Sequence, residues 1–102
     1  MPITSKQRAQ LRSLAMSEDT IIQVGKAGIT PALVESVSAA LKARELVKGR
    51  VLENSMLTAA EASAALCEAC GAEGVQTIGT KFVIFKRNPN NPVIELVKNK
   101  KK

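Results

Sequence analysis

Apolar residues recur along this chain with two different periods, and the alternation between them predicts a succession of helices and strands. Segments in which apolar residues return every three or four positions favour helices, whereas short β-branched or alternating runs favour strands. The helical segments are 4–16, 31–44 and 59–69, and the strand segments are 20–24, 46–52, 75–78 and 81–86. The predicted order is helix, strand, helix, strand, helix, strand, strand.

Residues at the segment ends support these boundaries. Hydroxyl side chains that can cap a helix precede each helical segment: Thr4 or Ser5, Thr30 and Thr58. Pro31 suits the first position of the second helix, because its missing N–H would have no partner there. Gly71 can close the third helix.

The order of the segments predicts how the strands pair. Two strands separated by a helix imply a parallel pair, and the short link Gly79-Thr80 predicts an antiparallel hairpin. We therefore expect an α/β chain of the two-layer α+β type, with three helices packed on a four-stranded mixed sheet. Phe82 and Phe85 should face opposite sides of the last strand, with at least one of them in the core. Gly49 interrupts the second strand, where glycine is expected to weaken packing.

The charge balance narrows the class of partner. The 102-residue chain has 15 Lys and Arg against 9 Asp and Glu, a net charge of +6. Such an excess attracts polyanions, which are nucleic acids or anionic membranes. Segment 53–73 contains glutamates and no basic residue, while basic residues cluster elsewhere along the chain. This asymmetry predicts a binding surface on one side of the molecule.

Several classes of function find no support in the sequence. There is no histidine, no nucleophile with an evident base and no metal-binding constellation, so we expect no enzyme, no cofactor and no small-molecule substrate. Cys67 and Cys70 form a C-x-x-C late in a helical segment, where we expect two reduced, partly buried thiols. No apolar stretch reaches the roughly 20 residues of a membrane helix, and the first residues hold no signal core. We therefore expect a cytoplasmic protein without a membrane partner.

The segment Gly25-Lys26-Ala27-Gly28 is the best candidate for a binding site. It lies between a strand and the N-terminus of the second helix, where backbone N–H groups and the helix dipole favour phosphate. The two glycines allow a sugar–phosphate backbone to approach closely, and Lys26 adds a positive charge. The spacing of a nucleotide-binding P-loop is absent. The G-x-x-G loop and Thr30 are therefore predicted to grip a nucleic-acid backbone, as the G-x-x-G loop of KH domains does.

Basic side chains outside the loop can extend this site. They are Lys6, Arg8 and Arg12 on the first helix, and Lys48 and Arg50 on one face of the second strand. With no Trp, no Tyr and two Phe, the chain lacks the stacking platform that proteins use to read single-stranded bases. We expect recognition of backbone and shape.

Several motifs of this chain resemble the CRM domain (chloroplast RNA splicing and ribosome maturation), especially its stand-alone bacterial members, the YhbY proteins. The matching stretches are Thr4-Ser5-Lys6-Gln7-Arg8 through Leu14-Ala15, Val24 to Thr30, Glu45-Leu46-Val47-Lys48 and Val75 to Gly79, within residues 3–87. The resemblance implies a fold akin to the C-terminal domain of bacterial translation initiation factor three. It also implies binding to structured RNA through the G-x-x-G loop, and association with precursors of the large (50S) ribosomal subunit. Gly49 departs from the apolar residue that related sequences tend to carry.

The sequence therefore predicts a monomeric RNA-binding protein that acts on large-subunit ribosomal RNA. Residues 1–87 form the CRM RNA-binding domain, and residues 88–102 form a basic extension that is flexible or partly an edge strand over 93–97. Lys26→Ala and Gly28→Asp are each expected to lower RNA affinity with the fold intact. Two alternatives stay open. One is a DNA-binding module, because positive charge does not distinguish DNA from RNA; the other is a protein-interaction adaptor that uses the alanine-rich third helix.

Overall fold

A computed structural model of the chain describes residues 3–88 and residue 94. The elements in chain order are α1 (Ser5–Ala15), β1 (Ile22–Val24), α2 (Pro31–Arg44), β2 (Leu46–Val51), α3 (Ala59–Cys70), β3 (Glu73–Ile78) and β4 (Lys81–Phe85). The strands form one sheet in the order β1-β2-β4-β3, in which β1 and β2 are parallel and the other neighbours antiparallel. The predicted order of elements and the four-stranded mixed sheet are confirmed.

All three helices start at capping threonines. The side-chain oxygens of Thr4, Thr30 and Thr58 each accept the N–H of the residue three positions ahead, at 3.1 Å. In α1 and α3 the Gln or Glu at that position accepts the N–H of the threonine in return, which completes a capping box. Gly71 ends α3 with a φ of 70°, in the left-handed region. These local hydrogen bonds explain why the helix boundaries could be read from the sequence.

The two faces of the sheet are covered by different helices. α2 and α3 pack on one face, against a cluster that includes Val24, Val47 and Phe82. α1 crosses the other face, where Leu11 and Ala15 contact a second cluster that includes Phe85. The two phenylalanines thus face opposite sides, as predicted, and both rings are buried.

The expectation that Gly49 weakens the second strand is wrong. Gly49 lies opposite Phe82 in the antiparallel pair of β2 and β4. A Cβ added to residue 49 would lie 2.5 Å from Cζ of Phe82, so the aromatic ring already fills the space of a side chain. Glycine at this position allows the ring to lie against the strand, and the core is packed because of it.

Glu45 joins α2 to β2 in a conformation that is uncommon for a residue with a side chain. Its φ is 65° and it is fully buried. Its backbone C=O accepts the N–H of Lys86 at 2.9 Å, while its carboxylate accepts the N–H of Asn88 at 2.6 Å and the N–H of Ile94 at 2.7 Å. Ile94 also packs against the core beneath α1. Glu45 thus binds the residue that follows β4 through its backbone C=O and the start of the C-terminal extension through its buried carboxylate.

The predicted edge strand over 93–97 lies outside the described residues except for Ile94. The division of the chain at residue 87 therefore stays a prediction. Within residues 3–88 and 94, no helix combines the length and the apolar composition that crossing a membrane requires.

Candidate nucleic-acid interface

The loop between β1 and α2 forms a tight turn at the surface. The N–H of Gly28 donates to the C=O of Gly25 at 3.0 Å, so Lys26 and Ala27 occupy the two central positions. Both central residues are exposed. The turn therefore presents a lysine and its backbone to solvent, which an interface with a polyanion requires.

The two glycines of the turn differ in whether the backbone conformation requires glycine. Gly28 has a φ of 73°, which favours glycine, so Gly28→Asp would strain the turn in addition to placing a negative charge there, and its effect on RNA affinity stays a prediction. Gly25 has no such φ, and a Cβ added to it would be in ordinary contact, 3.6 Å from Cδ1 of Leu52 and 3.8 Å from Oδ1 of Asn54. The fold thus tolerates alanine at residue 25 and does not account for the glycine there.

The start of α2 offers fewer N–H donors than the sequence argument assumed. Pro31 at the first helical position has no N–H, and the N–H of Leu33 is bonded to Thr30. Of the first three helical positions this leaves the N–H of Ala32, and the side chain of Thr30, whose oxygen already accepts the N–H of Leu33, retains its O–H for a ligand. An anion at this loop would depend more on Lys26 and the turn than on the end of the helix.

A row of exposed residues crosses the sheet beside this turn, on the face that α1 partly covers. The register pairs Gln23 with Arg50, Arg50 with Lys81, and Lys81 with Ile78. Paired residues on neighbouring strands point to the same face, and all four side chains are exposed. Neighbouring strands lie about 4.8 Å apart, so the row spans about 14 Å. It follows the edge of the sheet at which β1 ends and the turn begins.

Lys48 and Arg12 extend this row into a basic surface, which we define as Arg12, Lys48, Arg50 and Lys81. The register shows Lys48 and Arg50 on the same face of β2, as predicted. Nζ of Lys48 donates to the C=O of Ala15 at 3.2 Å, at the C-terminal end of α1 where a cation is favourable. Arg12 and Lys81 line a depression beside it.

Lys6 and Arg8 lie apart from this basic surface. Nη1 of Arg8 donates to the C=O of Gly74 at 2.6 Å, near the start of β3. That end of the sheet is opposite the Gly25–Gly28 turn, as the register of β3 and β4 shows. Lys6 is exposed in the first turn of α1, close to the contact between Ile3 and Glu73. Of the five basic side chains predicted outside the loop, the structure therefore brings Arg12, Lys48 and Arg50 together. Lys6 and Arg8 lie elsewhere.

Among the described residues, no side chain of the basic surface forms an ion pair with a carboxylate. Within residues 3–88 and 94, the ion pair formed is Arg44 with Glu18, at 3.5 Å, and it involves no member of the basic surface. Glu61 and Glu68 belong to α3, which packs on the opposite face of the sheet. Glu53 lies nearer the turn than these two, because it is exposed in the loop whose residues Leu52 and Asn54 are next to Gly25. The positive potential of this face is therefore available to an anionic partner.

The two cysteines are free, and Cys70 is more deeply buried than Cys67. Burial raises the pKa of both thiols above the ordinary value, so both are protonated at neutral pH. In the part of the chain that the structure describes, no group of three His, Cys, Asp or Glu side chains is placed to hold a metal ion. The C-x-x-C therefore behaves as part of the packing of α3.

Comparison with known proteins places this surface in a family context. The family model of the CRS1 / YhbY (CRM) domain matches residues 3–86. The chain belongs to this family.

Two relatives cover almost the whole CRM-domain chain. The chain is 38% identical over 94 residues to the "Probable RNA-binding protein YqeI" of Bacillus subtilis (strain 168). The aligned region covers 92% of this chain and 98% of that protein. The chain is 40% identical to a hypothetical protein from Staphylococcus aureus, to which RNA binding is attributed and whose solution structure superposes with a TM-score of 0.77. That match covers 94% of this chain and 100% of the other. The predicted resemblance to the CRM domain is confirmed.

Three residues of the candidate site of this CRM domain are not predicted by the sequence: Gln23, Lys81 and Ile78. Each lies on a different strand, so their alignment with Arg50 depends on the register of the whole sheet. One signal was present, because Lys81 directly follows the predicted hairpin turn. The pairing of β2 with β4 was needed to bring Lys81 beside Arg50.

Proposed function

We propose that this CRM-domain protein binds the backbone of structured RNA through the Gly25–Gly28 turn and the basic surface. The observation that carries the proposal is continuity: an exposed turn with a central lysine leads directly into a row of exposed side chains that holds Arg50 and Lys81. A sugar–phosphate backbone is the ligand class that presents negative charges at regular intervals along such a path.

The packing of the aromatic residues supports recognition of shape over base stacking on rings. The sequence contains two aromatic residues, Phe82 and Phe85, and both are buried. No aromatic ring is therefore exposed on which bases of a single strand could stack. Double-helical RNA with loops or bulges, recognised through its backbone, is the better match.

The narrower part of the proposal concerns the target. We infer that the RNA is that of the large ribosomal subunit in its precursor form, bound in the cytoplasm by a monomer that catalyses no reaction. The RNA binding named for the Bacillus relative supports RNA as the ligand, and the resemblance to stand-alone YhbY proteins supports the large subunit as its source. Residues 1–87 act as the RNA-binding domain, and the basic residues of 88–102 add general attraction.

Fluorescence anisotropy with an RNA hairpin and a DNA duplex of the same sequence tests the interface. Lys26→Ala and Arg50→Ala should each weaken RNA binding severalfold and reduce the salt dependence by about one released counterion. Lys42→Ala is the matched control, because Lys42 is exposed in the last turn of α2, away from the turn at its start. Equal losses for all three variants would show that net charge alone drives binding. Equal affinity for RNA and DNA would favour a general nucleic-acid-binding module.

Gly25→Ala tests the approach of the backbone without a change of charge. The fold has room for this methyl group, so a loss of affinity with unchanged stability would come from the ligand side. Unchanged affinity would remove Gly25 from the interface.

Sedimentation of cell extract on a sucrose gradient tests the target. Co-migration with precursors of the large subunit is expected, and loss of it in Lys26→Ala would link it to the turn. Recovery of the protein only at the top of the gradient contradicts the ribosomal part of the proposal and leaves the RNA-binding part to the anisotropy assay.

A further inference from the structure

A depression lies between the C-terminal end of α1 and the sheet, at one end of the row of exposed residues Gln23, Arg50, Lys81 and Ile78 (the sheet row). Its floor is apolar, formed by the buried side chains of Ala15 and Val83. Met16 and Ile78 also line it and are 83% and 62% exposed. When a partner covers apolar side chains that are this exposed, the removal of their surface from water contributes favourable free energy to binding.

The rim of the depression is cationic. Arg12, Lys48 and Lys81 line it together with Gln76. The contact of Lys48 with the C=O of Ala15 holds this lysine against the end of α1. An apolar floor inside a ring of positive charge does not suit an apolar peptide, and it does suit a ligand with a flat apolar face and phosphates attached to it.

We propose that this depression receives a single unpaired nucleobase of the bound RNA, stacked between Met16 and Ile78. Arg12 and Lys81 contact the phosphates that flank it, and the amide of Gln76 lies beside the base and donates to or accepts from its edge. The inference rests on the RNA-binding function proposed above. It adds a reason for the protein to prefer a bulge or loop over a continuous double helix.

The position of the depression supports this assignment. Lys81 and Ile78 belong both to the depression and to the sheet row that leads to Gly25, so one RNA strand can follow the row and insert a base at its end. Lys48, Val83 and Gln76 form the next row of paired residues, one step further from the turn. Base and backbone contacts are therefore adjacent on the same face.

The test compares three RNA hairpins of equal length by anisotropy: one fully paired, one with a single unpaired purine, and one with an abasic residue in place of that purine. The wild-type protein should bind the hairpin with the unpaired purine about fivefold more tightly than either of the others, because only an intact unpaired base covers the apolar surface of Met16 and Ile78. Ile78→Ser and Met16→Ser should each abolish this preference, and Met16→Ser, which lies outside the row and the basic surface, should leave the affinity for the paired hairpin unchanged. Leu14→Ser is the control, since Leu14 is partly exposed on α1 and lies outside the depression.

The outcomes separate the two proposals. If none of the three hairpins is bound in a salt-dependent way, both the proposed function and this inference are overturned. Binding to all three hairpins with equal affinity would overturn the nucleobase site alone. The nucleobase site would also be overturned if Ile78→Ser keeps the full preference for the hairpin with the unpaired purine while thermal unfolding shows that the variant is folded.

Discussion

Replacement of Glu45 by glutamine is the sharpest test of how this fold is held together. Both carboxylate oxygens of Glu45 accept a backbone N–H, one from Asn88 at 2.6 Å and one from Ile94 at 2.7 Å. Glutamine has the same size, but its amide offers one oxygen and one NH₂ group. One of the two backbone N–H groups would then face a donor in a fully buried site.

The magnitude follows from these two contacts. A hydrogen bond to a charged group contributes about 1.5–3 kcal/mol, and a buried N–H without an acceptor costs about 1–3 kcal/mol. We therefore expect Glu45→Gln to lower the free energy of unfolding by about 2–3 kcal/mol. Domains of this size unfold with about 5–15 kcal/mol, so the change would be a large fraction of the total.

Urea denaturation measures this loss, and hydrogen exchange followed by NMR locates it. The amides of Asn88 and Ile94 should lose protection in the variant before the amides of β2 and β4 do. Glu35→Gln on the exposed side of α2 is the control and should leave stability unchanged within about 0.5 kcal/mol. A loss below about 0.5 kcal/mol for Glu45→Gln, with both amides still protected, would refute the reasoning.

Three further predictions concern the glycines and the thiols. Gly49→Ala places a methyl group against the ring of Phe82, so it should destabilise the protein by about 1–3 kcal/mol in urea denaturation, and an unchanged midpoint would contradict the packing argument. Gly28→Ala should cost about 1–2 kcal/mol because of its positive φ, whereas Gly25→Ala should be neutral; equal costs would show that the two positions are not distinguished by backbone strain. Burial raises the pKa of Cys70, so its alkylation by iodoacetamide in the folded protein should be slow at neutral pH and accelerate as the pH rises, and rapid reaction at pH 7 would show that the thiol is accessible as thiolate.

The parts of the fold that depend on near neighbours in the sequence could be predicted. Helix caps at Thr4, Thr30 and Thr58 depend on residues three positions away, and the hairpin at Gly79-Thr80 depends on its own two residues. The alternation of apolar and basic residues in β2 likewise indicated which of its side chains face solvent. In each case the determining contacts lie within a few residues.

The parts that depend on distant contacts could not. Glu45 adopts a positive φ because its backbone and carboxylate bind residues more than forty positions away, and nothing in the local sequence signals this. Gly49 could be interpreted only when Phe82 was seen opposite it. The candidate site shows the same limit: the turn was recognisable as a motif, while the alignment of Lys81 with Arg50 required the strand register.

The brevity of β1 has a consequence for the turn that follows it. This strand has three residues and a single neighbour, β2, so it lies at the margin of the sheet with few ladder bonds to hold it. The buried side chains of Ile22 and Val24 therefore hold β1 in place, and the hydrophobic core beneath the sheet positions the Gly25–Gly28 segment. The rigidity of this binding segment thus depends on packing in the interior and not on strand pairing alone.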